Sequence, residues 1–424
     1  MIYRETVMKQ QNIQIITTDK YKEVAIELRF LTLSGSRRNA IRTLVAYMMS
    51  DRIEKYPSKL DMSEALDRLY GATYYAGSLT LGQVHVFRLR MKALHPDFSE
   101  AEQLKNQMNF LREALYHPYL TEDTLREAKK ILLDNLKRQE ENPGYYASKR
   151  IYEIFGENTP LALSATGSKE DVESITLSDC ITEHQRMLQE DAAYIMALGN
   201  VEKKAMEEEL AKMFPLGTEM PDLPLSYRFK EVMPQTVSEV RNLPQANVRL
   251  IYPNDTIYSD EDYWAMKLGC IMLGQLPTSL LFEEVREKRS LCYSITSHNS
   301  RYFSILQVST AMEEANIPEA LKLIEEQIQR IQKGEVSEEL LSMAKIMLIN
   351  DYEESRDEIN GQMNQAFEDY LCQSDSSLLY ERINAVTLPE VSAAFCKLKE
   401  PTVFLLKGGM KHGTDAESVS GCLL

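Results

Sequence analysis

The chain has 424 residues, 44% of them hydrophobic and 26% charged, the balance of a soluble globular protein long enough for two or three domains. Acidic residues outnumber basic ones 64 to 48, for a formal net charge of −16, and with no excess of Lys or Arg to neutralise phosphates this argues against nucleic acid as a main partner. No run approaches the roughly 18 apolar residues of a membrane span, and the opening MIYRETVMKQQ is too polar for a signal peptide, so no membrane and a cytoplasmic location are expected.

In the first half, Val24, Ile26, Leu28 and Phe30 alternate with polar or small residues, which predicts a strand with one buried face. A helix is predicted over 39–53, where Ile41, Leu44, Val45, Met48 and Met49 form one apolar stripe and Thr43, Ala46, Tyr47 and Ser50 share another face. A strand at 84–91 follows, then helices near 98–116, 121–140 and 178–189, and a closing strand Tyr194–Leu198. The second half offers strands at 247–252, 303–310 and 402–406, with helices near 261–273, 317–332, 337–352 and 357–371.

The halves repeat one another. Phe87-Arg-Leu89 matches Phe303-Ser-Ile305 at an offset of 216, and Leu120-Thr-Glu-Asp followed by Leu125-Arg-Glu-Ala128-Lys129 matches Val336-Ser-Glu-Glu followed by Leu341-Ser-Met-Ala344-Lys345 at the same offset. Ile175-Thr-Leu177 matches Val386-Thr-Leu388 at 211. Between the copies Pro215, Pro221, Pro224, Pro234 and Pro244 mark an extended linker. The chain therefore divides into domains at 1–214 and 246–410, a linker at 215–245 and a flexible tail at 411–424.

Metal and nucleophile chemistry find little support in the pattern. The six histidines (85, 95, 117, 184, 298, 412) include no pair at i+3 or i+4, and the six cysteines (180, 270, 292, 372, 396, 422) show no CxxC spacing, which suits reduced thiols. No Cys or Ser lies near a His in a recognisable signature.

The helix at 39–53 resembles the zinc-binding helix of the pitrilysin/insulinase peptidases, which include mitochondrial processing peptidase. That family reads His-x-x-Glu-His and then two large apolar residues; here Thr43-Leu-Val-Ala46-Tyr47-Met48-Met49 fills the frame. Two imidazoles one turn apart hold the metal and the Glu takes a proton from its water, and Thr, Ala and Tyr do neither. The family's third ligand, a downstream Glu, falls on Ala128 in Leu125-Arg-Glu127-Ala128-Lys129-Lys130-Ile131; even with Glu127 next door, one carboxylate is not a zinc site. Tyr56-Pro-Ser58 and Leu69-Tyr-Gly-Ala72 resemble a bacterial subgroup of YmfF-like proteins that occur beside a catalytically intact relative.

A second signature is kept. Active members place an Arg and a Tyr seven residues apart at the head of a strand, as in Phe282-Glu-Glu-Val-Arg286-Glu-Lys-Arg289-Ser-Leu291-Cys-Tyr293. Both side chains donate to a carbonyl becoming an oxyanion. On residue pattern alone, Arg286 reads as part of a solvated charged cluster and Tyr293 as strand packing. Gly71-Ala-Thr-Tyr-Tyr75-Ala76 aligns with the edge strand to which the family's substrates add; the other reading is a strand covered by a neighbouring domain or partner.

The resemblance implies an α+β fold of two homologous domains, each a mostly antiparallel sheet with helices on one face, facing each other around a cavity. It implies a non-catalytic subunit of a heterodimeric zinc peptidase for short peptides. Arg286 and Tyr293 would complete the site of a homologous partner that carries His-x-x-Glu-His and the zinc, with no cofactor on this chain. The rival expectation is a non-enzymatic peptide-binding or scaffold protein of the same family.

Overall fold

A computed structural model of the chain describes residues 12–217, 223–230 and 232–408; the expected tail at 411–424 lies outside the described residues. The first sheet consists of β1 (Ile13–Thr17), β2 (Glu23–Leu33), β3 (Thr73–Leu81), β4 (Val84–Leu94) and β5 (Ala192–Gly199) in the order β1-β5-β2-β4-β3. The second consists of β6 (Thr236–Arg241), β7 (Ala246–Pro253), β8 (Cys292–Asn299), β9 (Ile305–Met312) and β10 (Thr402–Gly408) in the order β6-β10-β7-β9-β8. The permutation is the same in both. In each sheet the first strand runs parallel to the last and the other pairings are antiparallel.

The helices of the first half are α1 (Ser36–Met49), α2 (Lys59–Arg68), α3 (Gln103–Tyr116), α4 (Glu122–Glu141), α5 (Pro143–Phe155), α6 (Lys169–Ser174), α7 (Leu177–Glu190) and α8 (Lys203–Met213). Those of the second are α9 (Tyr263–Gly274), α10 (Ile317–Gln332), α11 (Glu338–Arg356), α12 (Ile359–Cys372), α13 (Leu379–Ala385) and α14 (Leu388–Phe395). Two of the three sequence matches fall on helix starts, where unpaired backbone N–H groups need a side-chain acceptor. The Thr121 hydroxyl accepts the Thr124 N–H at the head of α4, and 216 positions later the Ser337 hydroxyl accepts the Leu340 N–H at the head of α11, each at 3.2 Å. The 211 offset marks two capping boxes: Asp179 accepts the Thr176 N–H at 2.8 Å before α7, and Glu390 accepts the Thr387 N–H at 2.7 Å before α14.

The alternating face of β2 behaves as expected: Val24, Ile26, Leu28 and Phe30 join Leu44, Phe87 and Leu111 in the core beneath the first half's helices. Its other face is buried too, which corrects the expectation of a half-exposed strand. The cause is an exchange of helices. From the second half, α12 lays Ile359, Met363 and Phe367 on Ala25, Leu31, Val86 and Tyr194 of the first sheet. From the first half, α5 lays Ala147, Ile151 and Phe155 on Ile251, Ile305, Phe404 and Leu406 of the second. Each sheet thus carries its own helices on one face and a single helix of the other half on the opposite face.

The stretch at 215–245 is more than a tether. Thr236–Arg241, between Pro234 and Pro244, is free of proline and forms β6, while Leu225 and Phe229 are buried and Tyr227 bridges to Phe303. Between the halves, α12 packs on the first sheet and α5 on the second. One cleft left at that junction has a volume of about 250 Å³, with Gly82 and Tyr152 on one side and His298 and Gln307 on the other.

Candidate functional site

Helix α1 is buried almost all round, so the polar face expected at Thr43, Ala46, Tyr47 and Ser50 is split: Thr43 and Ala46 are in the interior, Tyr47 is half-buried and Ser50 is exposed. The sheet closes one side of α1, and α4 and α7 close others. The helix ends at Met49 rather than at residue 53. Thr43 shares a 3.0 Å hydrogen bond with Ser78 of β3, and the Asn135 amide of α4 donates to the Tyr47 hydroxyl at 3.3 Å.

These residues do not fit a zinc ion. The four positions of the vacated motif offer a hydroxyl already engaged by Ser78, a phenol already engaged by Asn135, and the methyl groups of Ala46 and Ala128. Glu127 is turned to cations instead. Its carboxylate takes a short charge-assisted bond from Arg52 and lies 3.5 Å from Lys59, while Asp51 pairs with Arg52 at 3.0 Å and Lys59 at 2.7 Å. The bond from Arg52 holds the Glu127 carboxyl below its ordinary pKa.

The fold nevertheless gathers the sequence-predicted positions. Tyr47, Ala128, Tyr75 and Ala76 line one pocket of about 350 Å³, together with Met48 and Ile131. Tyr75 and Ala76 lie on β3, the outer strand of its sheet, and no strand among the described residues pairs with its free edge. Ala76 faces the core. The Tyr75 ring lies on the opposite face, over Gly77, where a Cβ would come within 2.1 Å of its hydroxyl, and the Arg88 and Arg90 guanidiniums stand 4.9 and 5.6 Å from its centroid.

Arg286 and Tyr293 are brought together on the second half. Residues Phe282–Glu287 form one wide π-type turn, a geometry that recurs at functional sites, and it carries Arg286 over the Phe282 ring at 4.3 Å and the Tyr293 ring at 5.3 Å. Tyr293 is the extra residue of a β-bulge, since Cys292 pairs with Met312 and Ser294 with Ala311. A bulge re-aims a side chain, and here it leaves Tyr293 80% exposed rather than packed in the strand. Arg286 is one-third exposed, with Glu287 as its ion-pair partner at 3.5 Å. Phe282 was missed by sequence reasoning; its place four residues before Arg286, on one helical face, was the available signal. Arg52 was missed as well, because nothing local links it to Glu127 75 residues away.

A profile of the family described as "Peptidase M16 inactive domain" matches residues 174–348, the segment that carries Arg286 and Tyr293. Over 406 residues the chain is 24% identical to the "Probable inactive metalloprotease YmfF" of Bacillus subtilis, covering 93% of this chain and 95% of that one. The chain is similar to the peptidase M16 family, by the profile over part of its length and by this relative over nearly all of it. A conserved protein from Enterococcus faecalis V583 shares this chain's fold with a TM-score of 0.88 at 26% identity, over 94% of this chain and 96% of the other. A peptidase M16 inactive domain from Pseudomonas fluorescens superposes with a TM-score of 0.78 at 18% identity, over 94% and 95%. The positions that the resemblance aligns with the zinc motif hold Thr43, Ala46, Tyr47 and Ala128, and the Bacillus subtilis relative is itself described as a probable inactive metalloprotease. Among the described residues no helix is long and apolar enough to cross a membrane.

Proposed function

We propose that this protein is the non-catalytic subunit of a two-chain zinc peptidase, lending Arg286 and Tyr293 to the site of a homologous partner that carries His-x-x-Glu-His. The observation that carries the reading is the contrast between its two half-sites. The metal positions are filled by engaged or apolar groups, while Arg286 and Tyr293 stay stacked, exposed and aimed outward by a bulge. An isolated chain has no use for such a pair. Opposite a metal site the Arg286 guanidinium and the Tyr293 hydroxyl are both donors for a carbonyl oxygen gaining charge. The partner supplies the metal and the general base, and the substrate is a short extended peptide.

Two measurements test this. Gentle isolation from the native host followed by mass spectrometry should recover a similar-sized chain bearing His-x-x-Glu-His in stoichiometric amount. The complex carrying Arg286→Ala should then assemble normally but turn over peptide at least ~100-fold more slowly, the range of a lost oxyanion donor. Undiminished turnover would remove the assigned role, and recovery of the chain without a homologue would favour the scaffold reading.

A further inference from the structure

We infer that Arg88, Arg90 and Tyr75, on the face of the first sheet turned away from its own helices, form a binding site for a small multivalent anion bearing phosphate or carboxylate groups. The site lies apart from the vacated metal positions and from Arg286 and Tyr293, and it needs neither a partner chain nor a metal.

The charges on this face do not balance. Strand alternation puts Glu23, Glu27 and Arg29 of β2 and Arg88, Arg90 and Lys92 of β4 on the side that meets α12. These are four cations against two carboxylates, and the residues that α12 lays there, Ile359, Asn360, Met363, Asn364 and Phe367, carry no charge. Arg29 pairs with the fully buried Glu27 at 2.8 Å, and Lys92 lies 3.6 Å from Glu23. Arg90 keeps only a distant share of Glu27, at 4.0 Å, and Arg88 makes no ion pair among the described residues.

The register sharpens the excess. Arg88 stands directly opposite Arg29 on the neighbouring strand, a like-charge pair, and its Nε is buried without an acceptor. Charges so placed are costly until an opposite charge meets them. In a chain whose formal net charge is −16, this surplus of positive charge is local.

The donors converge on one ring. Across β3 and β4, Tyr75 pairs with Arg90 and Gly77 with Arg88. Because Gly77 has no side chain, the Tyr75 ring leans over it toward Arg88, and the two guanidiniums stand 4.9 and 5.6 Å from the ring centre. Arg88 Nη2 donates to the Tyr75 hydroxyl at 3.4 Å, which leaves the phenol hydrogen to be given. Arg90 gives one N–H to Asn360 Oδ1 at 2.6 Å and keeps the rest of its fork. Two guanidiniums and a phenol O–H match the several oxygens of a phosphate or carboxylate ligand. A cation meets only repulsion here, and a neutral ligand leaves the surplus charge in place.

The test is isothermal titration calorimetry of the full chain with inorganic phosphate, pyrophosphate or citrate at constant ionic strength, with chloride as the reference. At least one probe should bind at a single site per chain, and whether it is a phosphate probe or citrate tells which acid group the site prefers. Arg88→Gln and Arg90→Gln should each lower the affinity at least ~10-fold, the loss of a charge-assisted hydrogen bond. Tyr75→Phe, which keeps the ring, should lower it ~2- to 10-fold, and it keeps the test decisive if an arginine variant does not fold. Lys92→Gln, whose charge Glu23 holds, should bind as the parent does. Absence of binding by all three probes, binding no different from that of chloride, or an affinity unmoved by Arg88→Gln, Arg90→Gln and Tyr75→Phe would overturn the inference. A loss in Lys92→Gln as large as in the arginine variants would overturn it too, by reducing the effect to net charge.

Discussion

Arg29 of β2 and Arg249 of β7 hold equivalent places at the centres of the two sheets, and each donates to the helix inserted by the other half. Arg29 Nη2 donates to the Asn364 side-chain amide oxygen Oδ1 of α12 at 2.6 Å; Arg249 donates to the Gly144 backbone carbonyl at 2.9 Å and the Ser148 hydroxyl at 3.0 Å, both on α5. Burial lowers the pKa of both guanidiniums, that of Arg249 to about 10. Arg29 and Arg249, polar residues on the far face of their strands, are thus met by the neighbouring half, which is how a pattern that reads as one-sided becomes buried on both sides.

The two arginines differ in their charge partners. Arg29 donates to the fully buried Glu27 carboxylate at 2.8 Å, whereas the bonds of Arg249 go to carbonyls and one hydroxyl. Arg29→Met leaves the Glu27 charge in the interior with only Arg90, 4.0 Å away, to offset it, and should destabilise the protein by about 3–5 kcal/mol in urea unfolding. Adding Glu27→Gln to Arg29→Met should recover part of that loss, because the penalty is mainly that of a stranded charge. A double variant as unstable as the single one would assign the cost to packing instead.

The repeat predicts paired effects at its caps. Thr121→Ala and Ser337→Ala each remove the acceptor for an N–H in the first turn of α4 and α11, at equal distances of 3.2 Å. Each should cost about 1 kcal/mol. The sites lie in different halves, so the double variant should show the sum within ~0.5 kcal/mol. Chemical denaturation of the three variants checks this, and a strongly unequal pair would mean that the matched sequences do unequal work.

Much of the fold was legible for a local reason. Helix starts such as Thr121, Thr176 and Ser337 are written in a few consecutive residues, and the apolar stripes of α1, α4 and α10 announce themselves by spacing. What escaped depends on the other half. α5 packs on a sheet built from residues beyond 236, and the burial of Glu27 and Arg29 depends on α12, more than 330 positions away. At the candidate site the residue types Thr43, Ala46 and Tyr47, which are not the His and Glu of the zinc motif, could be read from the sequence. The pocket could not, because it needs the convergence of α1, β3 and α4.

Exposure separates the tyrosine of the proposed site from those of the core. Tyr293 is 80% exposed, while Tyr194 is buried and stacks on Tyr370 with centroids 4.3 Å apart. Tyr293→Ala should therefore change unfolding free energy by less than ~0.5 kcal/mol, and Tyr194→Ala should cost about 3–5 kcal/mol. A large loss in Tyr293→Ala would mean that its ring is structural.

Acid sensitivity should come in part from His184 of α7. Its buried ring donates from Nε2 to the Leu115 carbonyl at 2.9 Å, and burial pushes its pKa down to about 4 from the ordinary 6.5. The unfolded chain takes up this proton as pH falls through 6.5, while the folded chain does so only near 4, so the unfolded state binds more protons between these values. Stability is full above pH 6.5 and is lost as pH falls through that window, by about 2–3 kcal/mol between pH 7 and 4.5. His184→Gln keeps a donor but removes the titration. The variant should be less stable than the parent at pH 7 and should lose about 2–3 kcal/mol less on acidification, measured by urea unfolding at the two pH values. Parallel losses in parent and variant would place the acid sensitivity elsewhere, with His85 the next group to change, since its buried ring is also held well below the ordinary histidine range by burial.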